Sequence, residues 1–253
     1  MRAGSLFTTS PDGGYLLGRP EDFRADTGES GDALMSLLLP NPSAEAFFRG
    51  VVRRCLVGVR SIARFGRQDA RAWDSPGRYL VNDGEGNVAG ALFLPNGRCV
   101  AAVHDHESSR AIDLAALAAR VPVGLYGPLA ALASLPFLTS GHPPGVTAVF
   151  WEGGGKLCAD EPWHTAYEFG GHVFRDELMG DAAWKAASEE EHELPGGLAD
   201  LVLAISRRAV WGQRIELTEA EISLLVPSDS KHRDDGLEEL LYGGVFQKAR
   251  GEP

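Results

Sequence analysis

The strongest periodic pattern of apolar and polar residues lies between Phe47 and Arg71. Apolar residues recur there every three or four positions, and at about 100° per residue they share one side of an α-helix. Ser43 can cap the N-terminus of this helix, and Glu45 supplies an acidic first turn. Glycine costs about 1 kcal/mol relative to alanine in a helix interior, so a break near Gly66 is an alternative to a helix that continues to Arg71, and Arg67 and Arg71 would then leave the helical face.

The pattern changes to that of β-strands in residues 78–105. The segments RYLVND, NVAGALFLP and RCVAAVHD are separated by the turn signals GEG and NG, so they predict a three-stranded antiparallel meander. Further along, GVTAVFWEGGGKLCA predicts a hairpin that turns at residues 153–155. TAYEFGGHVF predicts an additional strand with a bulge at residues 170–171.

Helical segments flank these strands. A short helix is predicted from about residue 32 to residue 39. RAIDLAALAARV predicts a helix after the meander, VPVGLYG a buried strand, and PLAALASLPFL a second helix with Pro128 in its first turn. After the acidic and glycine-rich stretch SEEEHELPGG, the pattern is mainly helical.

These elements predict an α+β or mixed α/β fold, with an antiparallel strand meander, flanking helices and a smaller, mainly helical C-terminal part. The predicted domain occupies residues 1–188. Residues 189–197 are predicted to form an acidic Pro-Gly linker, and residues 198–253 a helical part packed on the domain.

The order of elements over about residues 14–151 resembles the GNAT acyltransferase fold. That family uses a glycine-spaced turn after its fourth strand, where backbone N–H groups hold the pyrophosphate of acyl-CoA at a helix N-terminus. The corresponding segment, HDHESSRAIDL, contains no glycine. The resemblance implies a degenerate, GNAT-like acyltransferase as an alternative function.

Composition narrows the choice of function class. The 253-residue chain has a formal net charge of −11 at pH 7, so bulk binding of nucleic acid is not expected. The three cysteines, Cys55, Cys99 and Cys158, are an odd number and lie far apart, which favours a reducing cytoplasm. Prolines and glycines interrupt the uncharged stretch of residues 121–151, so no membrane span is predicted. The preference for arginine over lysine is typical of a GC-rich bacterial genome.

Positive charge is concentrated on the helix predicted first, although the whole chain is acidic. Six arginines fall within an arc of about 60° on a helical wheel. We call these residues the arginine face: Arg49, Arg53, Arg60, Arg64, Arg67 and Arg71.

The arginine face predicts a cytoplasmic binding or regulatory protein, because guanidinium groups bind carboxylates and phosphates in a bidentate manner. The expected partner is an acidic protein or an anionic small ligand. In the alternative interpretation, these arginines face solvent and pair with carboxylates of the same chain. A homo-oligomer is compatible with the sequence.

Two other segments carry residues suited to catalysis. If the third meander strand reaches His106, then His104 and His106 share one strand face and, with Glu107, predict a site for a divalent metal. The second segment predicts a small polar and aromatic pocket formed by Trp163, His164, Tyr167 and His172. Either site would support the alternative function of a small-molecule enzyme, whereas a polar strand end and an ordinary hairpin explain the same residues structurally.

Overall fold

The computed structural model of the protein divides into two units, residues 1–38 and 39–253. In the first unit, β1 (Thr8–Thr9) pairs antiparallel with β2 (Tyr15–Leu16). The helix predicted for residues 32–39 lies outside the described residues. The described residues are 8–9, 15–16, 42–66, 71–75, 77–83, 85–139, 145–191, 194–242 and 244–249.

The second unit contains a six-stranded antiparallel sheet in the order β3-β4-β5-β6-β7-β8. A separate parallel pair is formed by β9 (Ile215–Leu217) and β10 (Phe246–Lys248). The predicted meander and the predicted hairpin are both confirmed, as is the α+β class. The strands of the sheet are β3 (Arg71–Ser75), β4 (Arg78–Asn82), β5 (Val88–Leu94), β6 (Arg98–His104), β7 (Ala148–Gly153) and β8 (Lys156–Ala159).

Helices surround this sheet. Three 3₁₀ turns, at Pro95–Gly97, Ala115–Ala119 and Gly171–Phe174, accompany them in the described part of the chain. The α-helices are α1 (Ala44–Phe65), α2 (Tyr126–Ala133), α3 (Pro136–Thr139), α4 (Trp163–Glu168), α5 (Arg175–Leu178), α6 (Asp181–Glu191), α7 (Gly196–Arg207), α8 (Glu219–Leu225) and α9 (Arg233–Tyr242). None of the described helices is long and apolar enough to cross a membrane.

The strand register divides the sheet into two faces. Tyr79 pairs with Ala91, Ala91 with Ala101, and Ala101 with Phe150, so these side chains share the face that α1 and α5 cover. The opposite face packs against α2 and α3 through a buried cluster that includes Val100, Ala102, Leu129, Leu132, Leu138 and Val149. The sheet is therefore the middle of three layers, with helices on both sides.

Helix α1 confirms the prediction made from its amphipathic pattern. The Ser43 hydroxyl accepts a hydrogen bond of 3.0 Å from the Ala46 N–H, and the helix ends at Gly66, whose φ is 86°. Gly50 brings α1 very close to α5, because a Cβ atom at this position would lie 1.9 Å from the carbonyl oxygen of Glu177. Only glycine permits this approach.

Three predicted elements are wrong. RAIDLAALAARV forms only the short 3₁₀ turn at Ala115–Ala119, and VPVGLYG forms turns that lead into α2. TAYEFGGHVF contributes most of α4 and a 3₁₀ turn, and it covers a face of the sheet rather than extending its edge, since Phe174 packs edge-on against Phe150 with ring centroids 6.4 Å apart. No strand is present between β6 and β7 in the described residues, so the element order that resembles the GNAT fold is absent.

The C-terminal helices belong to the same compact unit as the sheet. Residues 189–191 of the predicted linker belong to α6, and α7 begins at Gly196. Helix α7 packs against both α6 and α1. Helix α1 is thus covered along part of its length by elements that follow it by more than one hundred residues.

Candidate binding surface

Arg53, a member of the arginine face, lies in the protein interior with a side chain only 3% exposed. Its Nη1 donates a hydrogen bond of 2.6 Å to Asp181 Oδ1, and its Nη2 donates one of 2.8 Å to the Met179 carbonyl oxygen. The guanidinium carbon lies 5.3 Å from the ring centroid of Trp184. Burial lowers the pKa of Arg53, and the Asp181 carboxylate opposes this shift. Arg53 therefore joins α1 to the turn between α5 and α6.

The arginines near the N-terminus of α1 also have partners in the fold. Arg49 forms an ion pair of 2.7 Å with Glu45, one helical turn away. Arg54, which lies off the arginine face, forms an ion pair of 3.2 Å with the buried Asp176. This half of the helix agrees with the alternative interpretation, in which the arginines pair within the chain.

Arg60 and Arg64 lie near the C-terminus of α1 and differ from the others. In the described part of the chain, no carboxylate lies within ion-pair distance of either guanidinium. Burial and the neighbouring charge of Arg64 lower the pKa of Arg60, while Asp229 opposes the shift. Two like charges one turn apart on a helix repel each other.

Exposed apolar side chains adjoin these two arginines. Arg60 Nη1 donates a hydrogen bond of 3.4 Å to the Leu224 carbonyl oxygen, which places α8 beside α1. The Leu224 residue is 59% exposed and Phe65 is 40% exposed. The Arg64 guanidinium carbon lies 4.8 Å from the centroid of the Phe65 ring. We call Arg60, Arg64, Phe65 and Leu224 the basic patch.

The other members of the arginine face are not part of this patch. Arg67 lies outside the described residues. Arg71 is the first residue of β3, whereas α1 ends before Gly66. The helical wheel therefore extended the arginine face beyond the end of the helix.

The three predicted metal ligands are directed to separate partners. Strand β6 ends at His104, so the premise that the strand continues to His106 is wrong. His104 is buried, with Nδ1 2.7 Å from the Gly145 carbonyl oxygen, whereas the exposed His106 has Nδ1 2.9 Å from Asn87 Oδ1. Glu107 is exposed. Among the described residues, no three His, Cys, Asp or Glu side chains are grouped to hold a metal ion.

The four predicted pocket residues lie on α4 and the 3₁₀ turn after it, not on a strand. Trp163 packs edge-on against Phe150, with ring centroids 5.4 Å apart, and His164 is exposed. Tyr167 and His172 have ring centroids 6.3 Å apart. Burial raises the pKa of Tyr167, and Arg175 opposes this shift. The structure thus brings Tyr167 and His172 together and directs Trp163 and His164 elsewhere.

The segments of the predicted metal site and the predicted pocket do meet at one end of the sheet. A Cβ atom at Gly170, whose φ is 127°, would lie 3.3 Å from Asp105 Cβ. Arg110, which sequence reasoning missed, bonds to Asp160 and lies over the Phe169 ring, with the guanidinium carbon 4.9 Å from the ring centroid. These contacts fix two loops to the strand ends, and they do not include the predicted metal ligands.

Sequence reasoning also missed Leu224. The only signal was the pair of adjacent leucines in ISLLV, and it was weak, because adjacent apolar residues of a helix can both be buried, as Val51 and Val52 are in α1. The structure buries Leu225 and exposes Leu224. Comparisons with protein-family models, with curated proteins and with solved structures find no match for this chain.

Proposed function

We propose that the protein is a binding protein that engages an acidic partner through the basic patch. One observation carries this proposal: Arg60 and Arg64 are adjacent cations with no carboxylate at ion-pair distance in the described residues, although the chain has a net charge of −11. Other arginines of the same helix, Arg49 and Arg53, do have such partners.

The two neighbouring positive charges of Arg60 and Arg64 have an energetic consequence. Like charges four residues apart destabilise a helix by about 0.2–0.5 kcal/mol. A partner carboxylate at this position would replace that repulsion with charge-assisted hydrogen bonds, which are stronger than those between neutral groups. Binding of an acidic partner would therefore reduce the repulsion between Arg60 and Arg64 within α1.

The apolar part of the basic patch favours a protein partner over a free anion. Arginine and aromatic residues are enriched in protein interfaces, where they supply most of the binding energy. A protein partner can bury the exposed parts of Leu224 and Phe65 against its own apolar side chains. A free phosphate or carboxylate ion has no apolar surface for this contact.

The test compares the double variant Arg60→Gln and Arg64→Gln with the matched control Arg49→Gln. Acidic proteins are captured on each purified protein from an extract of the producing cells and identified, and the association of the main captured protein is then measured. We expect the double variant to associate at least about tenfold more slowly at low ionic strength, with a smaller difference at high ionic strength.

Arg49→Gln should bind as the wild type does, because Arg49 is already paired with Glu45. Equal capture of all acidic proteins by the wild type and the double variant would refute the proposal. A similar loss in both the double variant and the control would show that overall charge, and not the basic patch, governs binding.

A further inference from the structure

Residues 111–136 form a surface layer with almost no charge. They include the 3₁₀ turn at Ala115–Ala119, the turn that follows it and α2, and they cover the sheet face opposite to α1. Charged residues make up 23% of the whole chain, but this segment contains only two, Asp113 and Arg120. Because these two have opposite signs, the segment has no net charge.

The segment has an inner and an outer side. Its large apolar side chains pack on the sheet as part of the buried cluster: Leu117, Val121, Leu125, Leu129 and Leu132. The outer side exposes mainly alanine, glycine and Val123. Its exposed serine, Ser134, donates its hydroxyl hydrogen bond back to the Ala130 carbonyl oxygen of α2, at 2.6 Å. We call the outer side of residues 111–136 the neutral face.

Val123 projects from the neutral face. It is 97% exposed, the largest fraction among the large apolar residues in the described part of the chain. The turn that carries it is fixed, because Arg98 Nη2 donates a hydrogen bond of 3.2 Å to the Val123 carbonyl oxygen and Gly124 adopts a φ of 86°. An apolar side chain on a fixed turn loses little conformational freedom when a contact buries it.

We propose that the neutral face is the contact surface of a symmetric homodimer. The two charged residues of the face are suited to a two-fold contact. Asp113 and Arg120 are both exposed, and neither forms an ion pair with any residue that the structure describes. A two-fold interface brings Arg120 of each copy against Asp113 of the other, since it pairs one surface with itself.

Charge favours a second copy over other occupants. Each copy has a net charge of −11, so two copies repel each other over most of their surface and can approach most easily at a face without net charge. An acidic or basic protein gains no long-range attraction from such a face. Lipid surfaces bind large apolar side chains that stand next to several basic residues, and the neutral face has a single arginine and no lysine.

The dimer does not depend on the basic patch, and salt separates the two interactions. A higher ionic strength screens the repulsion between two acidic copies and should strengthen the dimer, because the two exposed ion pairs contribute little to its affinity. The same change weakens the binding of an acidic partner to Arg60 and Arg64.

Sedimentation velocity of the full chain at low and moderate ionic strength measures self-association. We expect the wild type to dimerise and Val123→Glu to do so at least about tenfold more weakly, because this variant replaces buried apolar surface with two like charges at the contact. The matched control is Val210→Glu, at a valine that is 46% exposed and lies outside the neutral face. It should dimerise as the wild type does.

Ala131→Glu provides a second variant within the neutral face. Ala131 is exposed on α2, where glutamate is a good helix former, so the fold should be preserved while the dimer weakens. Circular dichroism checks that each variant is folded.

Charge reversal tests the two-fold pairing. Arg120→Asp and Asp113→Arg should each weaken the dimer, because either variant alone opposes like charges at both contacts. An equimolar mixture restores opposite charges at both contacts, and it should associate at least about threefold more tightly than either variant alone.

Three results would overturn this inference: a monomeric wild type at about 100 μM at both ionic strengths, a Val123→Glu variant that dimerises no worse than Val210→Glu, or folded charge-reversal variants whose mixture associates no better than each alone. The proposed function would survive each of them, because none concerns the capture of acidic proteins through Arg60 and Arg64. Equal capture by the wild type and the Arg60→Gln, Arg64→Gln double variant would refute that function and leave the dimer unaffected.

Discussion

Arg53→Met tests whether the buried arginine of α1 is a structural link between helices. Methionine has a similar length and fills the space beside Trp184, so the substitution removes the charge and the hydrogen bonds while preserving most of the apolar contact. The Met179 carbonyl oxygen then loses its donor inside the protein, and Asp181 loses one of its two arginine partners.

The expected cost follows from these contacts. A hydrogen bond from a charged donor to a buried carbonyl contributes about 1.5–3 kcal/mol. The ion pair with Asp181 contributes no more than about 1 kcal/mol, because the Asp181 side chain is 42% exposed and also pairs with Arg207 at 2.8 Å. Arg53→Met should therefore lower the free energy of unfolding by about 3 kcal/mol.

Urea unfolding, followed by circular dichroism and tryptophan fluorescence, measures this loss. With a slope of about 3 kcal/mol per molar urea, the midpoint should fall by about 1 M. The matched control is Arg49→Met on the same helix, which removes a surface pair with Glu45 at 2.7 Å and should cost about 0.3–0.5 kcal/mol.

Equal midpoints for Arg53→Met and Arg49→Met would refute this reasoning. Such a result would mean that the Met179 carbonyl finds another donor at little cost, and that Arg53 does not hold α1 to the turn between α5 and α6. A change in the slope together with the midpoint would instead show that the variant alters the surface exposed on unfolding.

Two further substitutions test local features of the fold. Gly50→Ala should lower the melting temperature although alanine is the better helix former, because its Cβ would lie 1.9 Å from the Glu177 carbonyl oxygen; Gly127→Ala, with no heavy atom within 4 Å, should not lower it. An unchanged melting temperature for Gly50→Ala would contradict the close approach of α1 and α5. Burial disfavours ionised Glu221, but hydrogen bonds, including that from the Thr218 N–H, outweigh this effect and lower its pKa. Its contribution is therefore present above about pH 4.5 and is lost as the pH falls through the lowered pKa. Glu221→Gln should cost about 1 kcal/mol near pH 7 and nothing near pH 2, as measured by urea unfolding, and an equal cost at both pH values would exclude this linkage.

The elements that depend on neighbouring residues were predictable from the sequence. Ser43 and Gly66 mark the two ends of α1, and short turns join the strands of the meander and the hairpin, so residues close in sequence supply the necessary interactions. Arg60 and Arg64 were also found in this way, because helical spacing alone places them on one face.

The parts that depend on distant residues were not predictable. A helical wheel gives the direction of a side chain but not the element that covers it. Arg53 and Arg60 share one face of α1, yet Arg53 is buried because the turn before α6 packs over it, and its partner Asp181 is 128 residues away. The segment from Trp163 to Phe174 is likewise helical and packs on a face of the sheet, where Trp163 and Phe174 both contact Phe150, which precedes them in the chain by more than ten residues.

The basic patch depends both on local helical spacing and on contacts between distant parts of the chain. Its two arginines follow from the period of one helix, which the sequence contains in full. Its apolar part requires α8 to lie beside α1, with the Leu224 carbonyl bonded to Arg60 across 164 residues. Local periodicity determines which residues share a face of an element, whereas only tertiary packing decides which part of that face remains exposed, because burial depends on elements far away in the chain.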